Sequence, residues 1–244
     1  MLIKKNRIWA VVALLTGVIG FSSCLKNNNV TPQRPMARVL VFGVSNNAVP
    51  ATFYDNNQKI TGDNANVNFN FVGTYAVYGG DHIFELRKKG ADSVITTTQY
   101  TFDSTSYYTY FIVNNNPVRS LVVKSDFSTA DQQKINIRFL NLSTGNSDPV
   151  DFYIGTEKAD SNRLPATMPD LASATSFAKY SSFSVNNSIT VKKAGTDQTL
   201  ATVSGNDLKT GSLTVGNVYT VYYAGTTGST GADKLMVNSV YNYW

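Results

Sequence analysis

The sequence predicts an all-β chain built as two tandem sandwiches, on three observations. Apolar and polar side chains alternate in short segments, as in Val67-Asn68-Phe69-Asn70-Phe71 and Ser188-Ile189-Thr190-Val191, the period of a strand with one face in water. Turn residues bound these segments: Phe53-Tyr54 runs into Asp55-Asn56-Asn57, and Ile83 to Leu86 lies between Gly79-Gly80-Asp81 and Gly90. The second half of the chain then repeats the first. No helical periodicity follows the N-terminal segment, and the one helical hint, Ser128 to Lys134, falls where the halves join.

The first element is a leader. Lys4, Lys5 and Arg7 precede an uncharged, mostly apolar run from Ile8 to Phe21, and as a helix those fourteen residues rise only about 21 Å, short of a hydrocarbon core of about 30 Å. Residues 1–23 therefore read as a signal peptide rather than a membrane span. Ser22-Ser23-Cys24 resembles the lipobox of bacterial lipoproteins, which implies a diacylglyceryl group on the only cysteine and cleavage just before it. At about 0.8 kcal/mol per buried CH₂, two or three acyl chains anchor a protein durably where one does not. Residues 24–35, polar, Asn-rich and interrupted by Pro32 and Pro35, form a flexible tether that cannot bury enough surface to fold. Lys26 stands where enterobacterial lipoproteins carry a retention aspartate, and the acidic cluster that resembles a surface-export signal in Bacteroidota is absent. The expectation is outer-membrane residence, with the leaflet open.

The next elements are the two repeats, expected over residues 36–127 and 128–244. Arg38 to Ser45 aligns with Asn136 to Ser143 at an offset of 98, and Pro50, Phe53 and Tyr54 with Pro149, Phe152 and Tyr153 at 99. Tyr75, Phe84, Leu86, Lys88 and Gly90 align with Tyr180, Ile189, Val191, Lys193 and Gly195 at 105, and Tyr108-Thr109 with Tyr219-Thr220 at 111. The offset grows in small steps, as loop insertions make it. About seven short strands per hundred residues then argue for an immunoglobulin-like β-sandwich in each unit.

The openings of both units resemble the DUF4397 domain, whose usual start reads A-R-V-R-V-x-H/N-x-S-P-D-A-P-x-V-D-V-Y. Ala37-Arg38-Val39 begins the first copy; Arg138 to Ser143 with Asp148-Pro149-Val150-Asp151-Phe152-Tyr153 gives the second, the fuller match, since Thr52 stands in the first copy where Asp151 stands in the second. The resemblance implies two tandem copies, an immunoglobulin-like sandwich and an extracytoplasmic location, and it implies no reaction.

Composition excludes several chemistries. One cysteine and one histidine leave no disulfide framework, no ordinary Cys/His zinc site and no Cys–His catalytic pair. The net charge of +5 falls to 18 basic against 16 acidic residues once the leader is removed, too little for a footprint on nucleic acid. His82, at a turn edge where the repeat has Asn187, reads as a polar turn residue. Asp151 reads as a loop-ordering acceptor, although Asp148 and Asp151, or Asp151 and Glu157, are the carboxylates that could approach one another. Asp55-Asn56-Asn57 and Asp63 to Asn66 lack the closing acid of a calcium loop, and Arg87-Lys88-Lys89 and Lys192-Lys193 read as solvated hairpin tips. No nucleophile elbow, phosphate loop or dinucleotide fingerprint is present, so no catalytic residue, metal or cofactor is expected.

About 25 Asn, a similar number of Thr and the pairs Tyr107-Tyr108, Tyr222-Tyr223 and Tyr243-Trp244 are the groups a carbohydrate-contacting surface uses. Tyr108 and Tyr219, equivalent in the repeat, are expected in the core; Tyr243 and Trp244 lack repeat counterparts and are the candidate ligand contacts. The expected function is that of a non-enzymatic cell-envelope lipoprotein, anchored to the membrane at Cys24, binding or scaffolding a protein partner in an envelope assembly or adhesion. The alternative is a glycan-binding accessory lipoprotein of a polysaccharide-uptake system. An exposed row of aromatics would favour glycan, and a flat apolar patch would favour protein.

Overall fold

The computed structural model describes residues 34–44, 50–61, 72–113, 117–166, 171, 174–181, 183 and 187–242. The first half contributes β1 (Met36–Gly43), β2 (Ala51–Asp55), β3 (Gln58–Lys59), β4 (Val72–Tyr78), β5 (Gly80–Lys88), β6 (Val94–Phe102), β7 (Tyr107–Val113) and β8 (Arg119–Ser125). The second contributes β9 (Ile135–Asn141), β10 (Val150–Ile154), β11 (Glu157–Arg163), β12 (Ala178–Tyr180), β13 (Ser188–Lys193), β14 (Thr199–Ser204), β15 (Val218–Ala224) and β16 (Met236–Tyr241).

The two halves share one topology. Sheets of order β4-β1-β7-β8 and β3-β2-β5-β6 in the first are matched by β12-β9-β15-β16 and β11-β10-β13-β14 in the second. In each, the opening strand runs parallel to the seventh (β1 with β7, β9 with β15), and the neighbouring pairs are antiparallel. The sandwich class is the one the sequence predicts, with eight strands among the described residues of each half where about seven were expected. The uncounted strand type is visible in β3, two exposed polar residues that give alternation nothing to register.

Backbone hydrogen bonds repeat at the same offsets. Val44 N–H donates to Ile112 C=O (2.9 Å) as Leu142 does to Tyr223 (2.7 Å), Lys89 to Pro50 (2.9 Å) as Ala194 to Pro149 (3.1 Å), and Lys88 to Ser93 (2.9 Å) as Lys193 to Gln198 (2.9 Å). One equivalence slips. Tyr75 lies opposite Val39, whereas Ala178, not Tyr180, lies opposite Ile137, so the tyrosines occupy positions two residues apart on the same face of β4 and β12. The hairpins differ as well: Asn56 and Asn57 both take positive φ (47° and 65°), the primed turn that matches strand twist, while Gly155 alone does so in the second half. The helical hint at the junction resolves into turns, with Ser128 N–H on Asp126 Oδ1 (2.9 Å) and Gln133 N–H on Asp131 Oδ1 (2.8 Å).

Three cores separate four sheet layers. Ala37, Val39 and Val41 of β1 face Phe53, Phe84 and Leu86, while Leu40 and Phe42 from the other face of the same strand pack with Leu140, Leu142, Tyr222 and Val240 of the second half. Ile135, Ile137 and Phe139 of β9 pack on Phe152, Ile189 and Val191. The two inner sheets are thus buried on both faces, and Pro35–Trp244 form a single compact unit. Two-sided burial explains why VLVF, YFIV and VYY read as continuous apolar runs, whereas β5 and β13 in the outer sheets alternate. Each fully buried Leu, Val or Phe contributes about 1.5–3 kcal/mol.

A polar latch crosses the middle layer. Arg138, 3% exposed, donates from Nε and Nη2 to Thr220 Oγ1 (3.2 and 2.9 Å), from Nη1 to the carbonyls of Lys124 and Ala174 (both 3.2 Å), and from Nη2 to Ser125 Oγ (3.3 Å). Its Cζ lies 4.8 Å from the centre of the Phe177 ring. Those acceptors are neutral, and burial pushes its pKa down to about 9, so it stays charged at neutral pH. Beside it, Asn242 accepts from Thr220 Oγ1 (2.8 Å) and donates to Thr109 Oγ1 (3.1 Å), joining the equivalent threonines of the two halves.

Candidate functional site

A groove of about 740 Å³ lies between the β14–β15 connection and β16, with Phe42 of the first half in its lining. The connection is held by its backbone: Gly216, at φ +85°, donates to Lys134 C=O (2.8 Å), and a Cβ there would sit 3.1 Å from Gln132 O. That close approach sets the chain over the start of β15 and aims Thr214 and Asn217 at Tyr219.

The wall is a closed hydrogen-bond network. Thr214 N–H and Asn217 Nδ2 donate to the Tyr219 hydroxyl (3.1 and 3.2 Å), which also contacts Thr214 Oγ1 (3.1 Å), and Tyr241 OH donates to Asn217 Oδ1 (3.2 Å). The Tyr219 and Tyr241 rings lie 5.6 Å apart. Further along, Thr210 and Ser239 share a 2.6 Å hydroxyl contact, and Lys209 N–H donates to Asn238 Oδ1 (2.8 Å). Lys209 is exposed as a residue, yet desolvation of its ammonium pushes its pKa down to about 8. Four serine or threonine hydroxyls, one amide and two tyrosines line this wall together with Phe42, Lys209 and Val240, and no imidazole or carboxylate is among these lining residues. Such a surface presents fixed donors and acceptors of the kind that pair with hydroxyl groups.

The other residues singled out from sequence are distributed as follows. Cys24, Tyr243 and Trp244 lie outside the described residues. His82 sits on β5, its Nδ1 2.8 Å from both oxygens of Asp55 and its Nε2 2.8 Å from Tyr78 C=O, so both ring nitrogens are occupied within the fold. Asp151, 2% exposed, accepts from Lys158 Nζ (2.7 Å), Asn162 N–H (3.0 Å) and Gly195 N–H (3.2 Å), the loop-ordering role expected of it. Burial works to raise its pKa, but those donors together prevail and hold the carboxyl below its ordinary value. Asp148 pairs instead with Lys193 (2.7 Å), so the two aspartates are turned to different lysines rather than to each other. Among the described residues no cluster of three or more His, Cys, Asp or Glu is placed to hold a metal.

The basic pairs are not simple hairpin tips. Arg87 lies over the Tyr54 ring (4.2 Å) and bonds Glu85 and Asn57, and its equivalent Lys192 lies 4.9 Å from the Tyr153 ring. Tyr108 and Tyr219 are 2% and 3% exposed, as expected, and Tyr222 and Tyr223 are buried too. Among the described residues the exposed large apolar side chains are Tyr78, Ile83, Val94, Leu164 and Val215, one of them aromatic. The groove and Arg138 were not singled out in the sequence. Their signals were a hydroxyl-rich Thr210-Gly211-Ser212-Leu213-Thr214 connection and one cation inside the apolar run Ile135 to Leu142.

The match to known families now has a place in the fold. The model of the DUF4397 family, described as a domain of unknown function, matches residues 37–153, from β1 into β10. The match spans a little under half of the chain. The DUF4397 match covers the first sandwich and the opening of the second, including Asp151 and Tyr153. No curated protein matches the chain. Among solved structures, a family CBM26 carbohydrate-binding module from Eubacterium rectale, in complex with maltoheptaose, is 11% identical over 85% of this chain and 97% of that one. Its TM-score is 0.21, too low for the likeness to carry an argument about fold or ligand.

Proposed function

We propose that this chain is a non-enzymatic binding module of the cell envelope, lipidated at Cys24, tethered to the outer membrane through residues 24–35, and made of two DUF4397-type units. The groove beside Tyr219 and Tyr241 is its ligand site. The observation that supports this reading is the wall of hydroxyls and one amide fixed by mutual hydrogen bonds, a surface that needs no rearrangement to meet a ligand's hydroxyl groups. A polysaccharide fits that lining better than a protein partner, because its polar groups, Lys209 apart, are hydroxyls and one amide. The scaffolding reading, contact with a protein in an envelope assembly, is the one expected first from the sequence and here becomes the second, supported by the edge strands that four open sheets leave.

Affinity electrophoresis against plant, host and microbial polysaccharides tests the ligand. Retardation by one polysaccharide class, lost in Asn217→Ala, is the expected result; no retardation across the panel, with crosslinking of a protein partner on intact cells, puts the scaffolding reading in its place. Metabolic labelling with a fatty acid tests the anchor: label on the chain and none on Cys24→Ser is expected, and label retained in that variant removes the lipoprotein reading.

A further inference from the structure

We propose that the pocket beside Arg119 is a second ligand site, one that takes a carboxylate. Arg119 opens β8 and lines a pocket of about 310 Å³ together with Ser143, Thr144, Asn146 and the apolar Pro117 and Ala166. Thr144 pairs with Gly225 and Thr226 just past the end of β15, so this pocket and the groove at Tyr219 lie at opposite ends of that strand.

Two desolvated arginines among the described residues make the case by contrast. Arg138 spends all its donors on four acceptor groups at 2.9–3.3 Å. Arg119 has one bond, a long 3.3 Å contact from Nη1 to Ala166 C=O, and its buried Nε has no partner. Burial lowers its pKa with no carboxylate acting against that shift. A buried donor without an acceptor costs about 1–3 kcal/mol, and a desolvated cation more, so native proteins seldom keep both unless something supplies the acceptor. The guanidinium fork fits a planar oxyanion with two oxygens, and its single bond to Ala166 C=O leaves terminal N–H groups for such a ligand. One positive charge in a partly dry pocket is balanced by one negative charge, which selects a carboxylate over a phosphate dianion. Ser143, Thr144 and Asn146 give the rim polar groups for the rest of the ligand, and Gly145, at φ +79°, lets the loop turn beneath it.

The test is an NMR titration of the purified protein, reading the Arg119 Nε–H signal and the backbone amides of Ser143 to Asn146, with sodium acetate, its neutral isostere acetamide and inorganic phosphate at constant ionic strength. Acetate should move these signals saturably, with affinity about tenfold or more above acetamide. Arg119→Gln should abolish the response at the amides, and Arg119→Lys, which keeps charge but not the fork, should weaken it. No acetate response, or an equal one to acetamide, overturns the site; tighter phosphate binding overturns the carboxylate assignment. The acetate–acetamide comparison is made on the unaltered protein, so it decides the question even where a variant fails to fold. It is also independent of the groove, whose ligand neither probe resembles.

Discussion

The two halves of this molecule share strand order and backbone hydrogen bonds, yet at equivalent positions they use different side chains. Leu40 in the first half is Arg138 in the second, Thr52 is Asp151, and His82 is Asn187. Leu40 packs in the middle core and Arg138 ties together both halves; Thr52 has no carboxylate to offer, and Asp151 holds a strand and a turn. The backbone ladder sets where a side chain stands, and the local supply of acceptors and donors sets what it does there. Moving one half's residue into the other therefore separates scaffold from role.

The largest effect is expected at the latch. Arg138→Leu installs the first half's residue, but it leaves the carbonyls of Lys124 and Ala174 and the hydroxyls of Ser125 and Thr220 without their donor. Urea unfolding should show a loss of roughly 3–5 kcal/mol, the range for breaking a buried charged network from one side. An unchanged or higher midpoint would mean that removing a buried cation outweighs the stranded acceptors, and the latch would then be a matter of specificity rather than stability.

Next comes Asp151→Thr, the residue the first half carries. Loss of the acceptor for Asn162 N–H and Gly195 N–H should cost about 2–3 kcal/mol. Its pH dependence gives a sharper reading. Because the folded carboxyl is held below its ordinary value, its stabilisation is complete above about pH 4, the unfolded value, and fades as pH falls through the folded one. Stability measured across the acid range should thus fall less steeply in the variant, and parallel curves would show that Asp151 is not the group responsible. A difference in shape accompanies this carboxylate: β11 has seven residues and pairs with β10 through a register shift at Phe152, whereas β3 opposite Thr52's strand has two.

A smaller loss follows His82→Asn. The substitution gives up the bonds to Asp55 and Tyr78 and the ring contacts with Phe84 and Phe102 at 6.0 and 5.5 Å, worth about 1–2 kcal/mol at a half-buried position. Thermal unfolding is the measurement, and a loss above that of Asp151→Thr would reverse the ranking of the two halves' polar sites.

These contrasts also show why some features were legible in the sequence and others were not. Alternation announces a strand with one wet face, and β5 and β13 were legible for that reason. A strand buried on both faces is an apolar run, and nothing in such a run says which sheet covers the second face; the stacking of the halves through Phe42, Phe111, Tyr222 and Val240 was therefore not readable from the pattern. The tyrosines at 108 and 219 were legible because the repeat kept them in step, while Tyr180 slipped by two because the stretch before it has no anchoring motif. The groove was not legible: its residues come from one connection, the starts and ends of β15 and β16 and Phe42 far back in the first half, and hydroxyl-rich connections are common wherever loops meet water.

The finest comparison lies between those two tyrosines. Both place a hydroxyl under the turn five residues upstream, Tyr108 accepting from Asp103 N–H (2.9 Å) and Tyr219 from Thr214 N–H (3.1 Å). Tyr219 also accepts from Asn217 and contacts Thr214 Oγ1, so its hydroxyl uses both lone pairs and its proton. Phe at either position keeps the ring in the core and removes the hydroxyl alone. Tyr108→Phe should cost about 1 kcal/mol, and Tyr219→Phe a few tenths to 1 kcal/mol more, because it also frees Asn217 from the groove wall. Only the second should weaken retardation by a polysaccharide. Equal costs in unfolding with equal retardation would reduce the network around Tyr219 to a corner of the fold, and would move the ligand site away from the start of β15.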